Sequence, residues 1–110
     1  PDGLMCFNDD HAIAAYRVLR DRGVRVPEDT AIVGFDGIEE TEYLERPLTT
    51  VSVPLKEMCA TAWHFLEQRM ANPDLPAQKA VYDLRLEVRA TSMRGSTRRG
   101  KGRVGRAVPR

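Results

Sequence analysis

Residues 4–10 read Leu4-Met5-Cys6-Phe7-Asn8-Asp9-Asp10, and this stretch decides the fold. Four apolar residues in a row suit a short strand buried on both faces. Asn8 and Asp9 then offer side-chain oxygens to the unpaired N–H groups of a helix start. Early carboxylates also suit the positive end of the helix dipole. A helix is predicted from about Asp10 to Arg22, with Ala12, Ala15, Tyr16 and Leu19 on its apolar stripe. Arg17, Arg20 and Arg22 load its C-terminal half with positive charge, and Gly23 supplies the left-handed residue that stops it.

Downstream, residues 24–29 read as a connector, with Pro27 breaking any regular ladder. Thr30-Ala31-Ile32-Val33-Gly34-Phe35 is a second buried strand. Strand, helix, strand is the pattern of a parallel sheet with a right-handed crossover. Asp36-Gly37 turns the chain, and residues 36–47 are acidic and irregular. The β-branched run Thr49-Thr50-Val51-Ser52-Val53 predicts a third strand. Pro54 can open a second helix, and Leu55, Met58, Cys59, Ala62, Leu66 and Met70 recur at helical spacing through about Arg69. Residues 72–78, with Pro73 and Pro76, form a loop. From Val81 to Ala90, Leu84, Leu86, Val88 and Ala90 alternate with Arg85, Glu87 and Arg89, which predicts a strand with one buried face. The fold class is α/β.

The 110 residues suit one small domain or part of a larger one. The chain opens at Pro1 directly into an apolar stretch, as a fragment would. No run approaches the roughly 18 apolar residues of a membrane span, and no signal peptide is visible. Cys6 and Cys59 are too few for a disulfide scaffold and suit reduced thiols in a cytosolic protein. A net charge of +1 hides a split. Seven of the 17 basic residues lie in Met93–Arg110, a Gly-rich tail without one acid; the rest of the chain keeps ten against 16 acidic residues, a net of −6. Residues 1–92 therefore read as an acidic globular segment, and 93–110 as a disordered basic extension. The tail's cations are suited to salt-sensitive attraction to phosphate, but it carries no aromatic residue to stack on bases.

In open parallel sheets, ligands bind at the carboxyl ends of the strands. Two strands here end in polar clusters, Phe7-Asn8-Asp9-Asp10-His11 and Phe35-Asp36-Gly37. A carboxylate fixed at such an end accepts hydrogen bonds from ligand hydroxyls or ring N–H groups with little loss of ordering entropy. The same Asn8 and Asp9 also serve as plain helix caps. Asp9, Asp10 and Asp36 around a divalent metal would instead make a small α/β enzyme. There is no HExxH, no P-loop, no GxGxxG after a strand and no GxSxG elbow, so no cofactor is implied. His64 reads as a surface or packed histidine, and Cys6 and Cys59 as packing residues.

The order Pro1-Asp2-Gly3-Leu4-Met5-Cys6-Phe7-Asn8-Asp9, then Gly23, Val26-Pro27-Glu28-Asp29, Ile32-Val33-Gly34-Phe35-Asp36 and Pro47-Leu48-Thr49-Thr50-Val51 resembles the LacI family of bacterial transcription regulators. Leu84-Arg85-Leu86-Glu87-Val88-Arg89-Ala90-Thr91-Ser92 is similar to that family's last strand. The likeness covers residues 1–92, the last third of such a regulator. It implies a type I periplasmic-binding-protein-like fold in two lobes, and a small molecule, often a sugar or nucleobase, binding between them. It also implies a helix-turn-helix, absent from this chain, that carries operator DNA binding in a cytoplasmic homodimeric repressor without catalytic residues. By this resemblance residues 1–47 belong to the C-terminal lobe, residues 49–69 cross to the other, and the chain returns from about Val81. The resemblance gives Asp9 contact with the effector, Asn8 the shaping of the strand-to-helix turn, and Phe7 a place beside the cleft. The position of Val53 often carries a polar residue facing the effector, and valine supplies no such hydrogen bond. Tyr16 and Tyr43 are candidates for a dimer interface, with Tyr16 equally suited to the core.

Overall fold

The structure, a computed structural model, describes residues 1–95. The chain runs through strand β1 (Gly3–Met5), helix α1 (Asp9–Asp21), strand β2 (Ala31–Asp36), a 3-10 turn (Glu39–Glu42), strand β3 (Thr49–Ser52), helix α2 (Leu55–Ala71) and strand β4 (Arg85–Glu87). The four strands form one sheet in the order β1-β2-β3-β4. β1, β2 and β3 are mutually parallel, with Gly3 opposite Ala31 and Val33 opposite Thr49. β4 returns antiparallel to β3, with Val51 opposite Leu86.

α1 begins and ends for the reasons its sequence gives. The Asn8 side chain accepts from the His11 N–H at 2.9 Å and caps the first turn. At the other end Gly23 takes φ +72°, its N–H donates to the Arg20 carbonyl, and the Val24 N–H reaches back to Leu19. This pair of bonds satisfies carbonyls that the helix itself leaves open.

The core is small and one-sided. Ala12 and Tyr16 of α1 pack with Val26, Ile32 and Leu48, and Cys6, Leu19 and Leu44 close around them. Tyr16 is buried, so in this structure it is a core residue; Tyr43 is exposed. Three expectations of burial are corrected. β1 is shorter than Leu4–Phe7 and exposed along its length, because α1 covers β2 on one face and no second helical layer covers the sheet among the described residues. Parallel sheets need both faces covered to be buried. α2 forms as its periodicity predicts but buries none of its residues, and Leu55, Met58, Leu66 and Met70 all stand exposed. β4 spans three residues, with Leu84, Leu86 and Val88 exposed. Its alternation therefore marks a potential face without a partner to bury it.

The segment after β4 wedges between the strands. The Thr91 hydroxyl donates to the Ile32 carbonyl at 2.8 Å and accepts from the Thr49 N–H at 2.9 Å. Arg94, assigned by composition to the basic tail, donates through Nε to the Pro27 carbonyl at 2.9 Å. The rest of the disorder expected for the tail, residues 96–110, lies outside the described residues.

Candidate functional site

Three parallel strands deliver their carboxyl ends to one edge of the sheet. β1 runs into Phe7 and Asn8, β2 into Asp36 and Gly37, and β3 into Ser52 and Val53. Phe7 is 87% exposed, and its ring meets His11 edge-on, with centroids 6.1 Å apart and planes at 85°. The Asn8 side-chain oxygen is occupied by the cap bond and by the His11 ring nitrogen.

Asp9 is the residue whose placement departs most from expectation. It is the first residue of α1 and has 0% of its surface exposed. One carboxylate oxygen accepts from the Gly37 N–H at 2.7 Å and the Ile38 N–H at 2.9 Å. The other accepts from the Thr50 hydroxyl at 2.6 Å. A buried carboxylate is tolerated when it is this fully bonded, and the N-terminus of α1 adds favourable potential. Both oxygens of the carboxylate expected to contact the effector are thus engaged within the fold. In this geometry it is a brace beneath the edge that ties the start of α1 to the turn after β2 and to the middle of β3.

Gly34 makes room for this brace. A Cβ there would lie 2.1 Å from Asp9 Oδ1 and 3.0 Å from a Leu48 methyl. The sequence reading missed Gly34 and Thr50 as site residues; a glycine inside a strand is the signal for a close approach that could have flagged the first. Beyond the brace, Asp36 has φ +112° and Gly37 φ +79°. A non-glycine residue in that half of the map costs of order 1–3 kcal/mol and persists where its surroundings over-determine it. The Val53 N–H to Asp36 carbonyl bond at 3.0 Å and the Asp9 bonds to the next two amides do so here.

Val53 lies on the wall of a groove of about 380 Å³ with Ser52, Pro54, Glu57, Arg85 and Glu87. The Ser52 hydroxyl donates to the Arg85 carbonyl at 3.3 Å, which joins the ends of β3 and β4. A second groove of about 420 Å³ lies at the C-terminal end of α1, over Tyr16. Ion pairs from Arg20 to Glu45 at 2.6 Å and from Arg46 to Glu28 at 3.3 Å occupy its rim. It is the larger of the two, but it is not at the strand ends, and its charges are mutually paired.

The alternative of a metal enzyme on Asp9, Asp10 and Asp36 finds no support in this geometry. Asp9 has no oxygen to spare, and among the described residues no three His, Cys, Asp or Glu side chains are gathered to hold a metal ion. Among the described residues no helix is long and apolar enough to cross a membrane.

Comparison with known proteins fits this architecture. Residues 1–92 match the family described as periplasmic binding protein-like domain. The HTH-type transcriptional repressor PurR of Vibrio atlanticus (strain LGP32) is 35% identical over 88 residues, covering 80% of this chain and 26% of that protein. The repressor of the same name from Aliivibrio fischeri (strain MJ11) is 38% identical over the same shares. Among solved structures, a LacI family transcriptional regulator from Enterococcus faecium with bound ribose superposes with a TM-score of 0.78 at 32% identity, covering 83% of this chain and 34% of that one. The transcriptional regulator CelR in complex with cellobiose gives 0.77 at 34% identity, over 82% and 28%. The chain spans about a quarter of the length of the curated relatives it matches. By its match over residues 1–92, the chain belongs to the periplasmic binding protein-like family, in the branch formed by the LacI-type regulators.

Proposed function

We propose that this chain contributes to the effector-sensing domain of a LacI-type repressor and binds a small metabolite, a sugar or nucleobase, at the carboxyl edge of its sheet. The observation that carries this reading is the convergence of three strand ends over one bonded brace, beside an open groove. Phe7 offers an exposed aromatic face for a sugar ring or a base. Val53 offers an apolar wall. Asn8 and Asp9 shape the edge from below, as the cap of α1 and the brace under residues 37 and 38.

The working protein is then a binding module and not an enzyme. The effector acts through its differential affinity for two lobe arrangements, and operator DNA is bound by a part of the regulator outside this chain. A cytoplasmic homodimer completes the reading, with Tyr43 exposed as a candidate contact. The test is a thermal-shift and calorimetric screen of the protein against monosaccharides, disaccharides and nucleobases. Saturable binding that weakens at least about tenfold in Phe7→Ala is expected, the loss of one good ring contact and its buried area. Absence of binding by every compound, or binding indifferent to Phe7→Ala, would overturn it.

A further inference from the structure

The groove at the C-terminal end of α1 takes no part in the proposed effector edge. Its floor is Tyr16, of which only 7% is exposed. Among the described residues the Tyr16 hydroxyl makes no hydrogen bond, and no fully enclosed polar side-chain atom goes unpaired. The hydroxyl therefore opens outward, into the groove that Tyr16 lines. Phenylalanine would fill the same place beside Ala12 and Ile32 with no polar group to keep hydrated. The hydroxyl gives the floor one free donor and one free acceptor.

The walls and rim limit what can meet that group. Val24 and Val26 supply apolar surface. Nothing lies within 4 Å of a Cβ built at Gly23, so the end of α1 leaves the space open. The volume, about 420 Å³, falls in the range of small-molecule sites, roughly 300–1,000 Å³. Each charged residue of the lining already has an opposite charge beside it. Arg20 pairs with Glu45 at 2.6 Å, Arg46 with Glu28 at 3.3 Å, and Arg25 with Asp29 at 2.6 Å. A charged ligand would have to break one of these pairs to be neutralised, whereas an uncharged one leaves them intact. The pairs made by the neighbours Glu45 and Arg46 also fasten the segment before β3 to α1 and to the connector that follows it, which keeps the rim together.

We propose that this groove is a second binding site, for a small uncharged molecule with an apolar body and one hydrogen-bonding group, a phenol or an alicyclic alcohol. The apolar body rests on Val24 and Val26, and the polar group meets the Tyr16 hydroxyl. The site stands apart from the effector edge, because it lies at the far end of the helix that Asn8 caps. The inference is independent of the effector-binding reading, and either can fail without the other.

The experiment is an NMR titration of the whole isotope-labelled chain with phenol, with toluene, benzoate and benzylamine as comparisons and thermal melts of each variant. Phenol is expected to shift the Gly23, Val24 and Val26 amides saturably. Benzoate and benzylamine, both charged near neutral pH, should bind at least about tenfold more weakly. Tyr16→Phe should weaken phenol by about two- to tenfold, the loss of one neutral hydrogen bond, and leave toluene unchanged. Its melting temperature should stay within about 2 °C of wild type, because the hydroxyl bonds to nothing in the described fold. Val24→Asp, on a half-buried wall, should weaken phenol and toluene alike. Phenol shifts that do not saturate, that keep full affinity in Tyr16→Phe, or that vanish in Phe7→Ala refute the site, the last because the probe would then sit at the strand ends. Benzoate or benzylamine binding as tightly as phenol refutes the ligand class. A markedly lower melting temperature in Tyr16→Phe refutes the free hydroxyl on which the proposal stands. If Val24→Asp turns a dimeric chain into a monomer by sedimentation, the groove is an interface between copies and the proposal falls.

Discussion

Substituting Gly34 by alanine tests the Asp9 brace from the opposite side of the contact. The new Cβ would sit 2.1 Å from Asp9 Oδ1 and 3.2 Å from its Cγ, about 1 Å inside ordinary carbon–oxygen contact. The carboxylate cannot swing away without giving up the 2.6 Å bond from Thr50, and the opposite oxygen is pinned by two amides. Overpacking of this kind costs about 1–3 kcal/mol, and loss of one hydrogen bond to a charged acceptor about 1.5–3 kcal/mol. Alanine returns about 0.4–1 kcal/mol by restricting the unfolded chain, which leaves a net destabilisation of about 2–5 kcal/mol. Asp9→Ala alone should cost about 3–5 kcal/mol, because it takes the acceptor from the Gly37 and Ile38 amides and from the buried Thr50 hydroxyl. The double variant is the decisive one. With the carboxylate gone, the nearest remaining contact of the Gly34→Ala methyl is a Leu48 methyl at 3.0 Å, so the pair should be about as stable as Asp9→Ala by itself. The coupling expected is about 2–3 kcal/mol. Urea unfolding followed by circular dichroism reads the cycle, and hydrogen exchange at the Gly37 and Ile38 amides reports the brace locally. Additive costs, or amides of Gly37 and Ile38 as protected in Asp9→Ala as in wild type, would refute the brace.

Other outcomes follow from the same geometry. Asn8→Ala should destabilise by about 1 kcal/mol through loss of the α1 cap, seen as a lower urea midpoint with unchanged slope. The Asp29 carboxyl is held at about 2 by the Arg25 side-chain hydrogen bond first, then by the Arg25 backbone N–H. Because its folded value is depressed, this pairing contributes stability above about pH 4 and loses it as the pH falls from about 4 to about 2. An NMR titration should find the low midpoint, and Arg25→Ala should raise it only part of the way, since the backbone donor at 2.9 Å remains. The Tyr43 phenol, raised by its hydrogen bond to Glu39, should titrate lower in Glu39→Gln when followed by ultraviolet absorbance. Cys59 is exposed whereas burial pushes the Cys6 thiol up, so a disulfide reagent should label Cys59 first.

Much of the local structure was legible from residue order. Asn8 and Gly23 mark the two ends of α1 because capping depends on a side-chain oxygen at one end and a free left-handed torsion at the other, and both are properties of single residues. The parallel arrangement of β1, β2 and β3 follows from strand, helix, strand. Burial was not legible in the same way. Leu86 and Met70 sit in correct periodic patterns and are exposed, because a pattern states which face an element can bury and not whether anything covers it.

For the site, the sequence by itself determined that Phe7, Asp9, Asp36 and Val53 come near strand ends, since strand length and turn position are local properties. Only the tertiary structure decided what each one does there. Asp9 and Asp36 are alike as residues; one follows β1 and the other ends β2. One is buried on Gly37, Ile38 and Thr50, which are 28, 29 and 41 positions away, while the other stands exposed. A carboxylate's role is set by the donors that reach it, and donors this distant in sequence are brought together only by the pairing of β2 with β3.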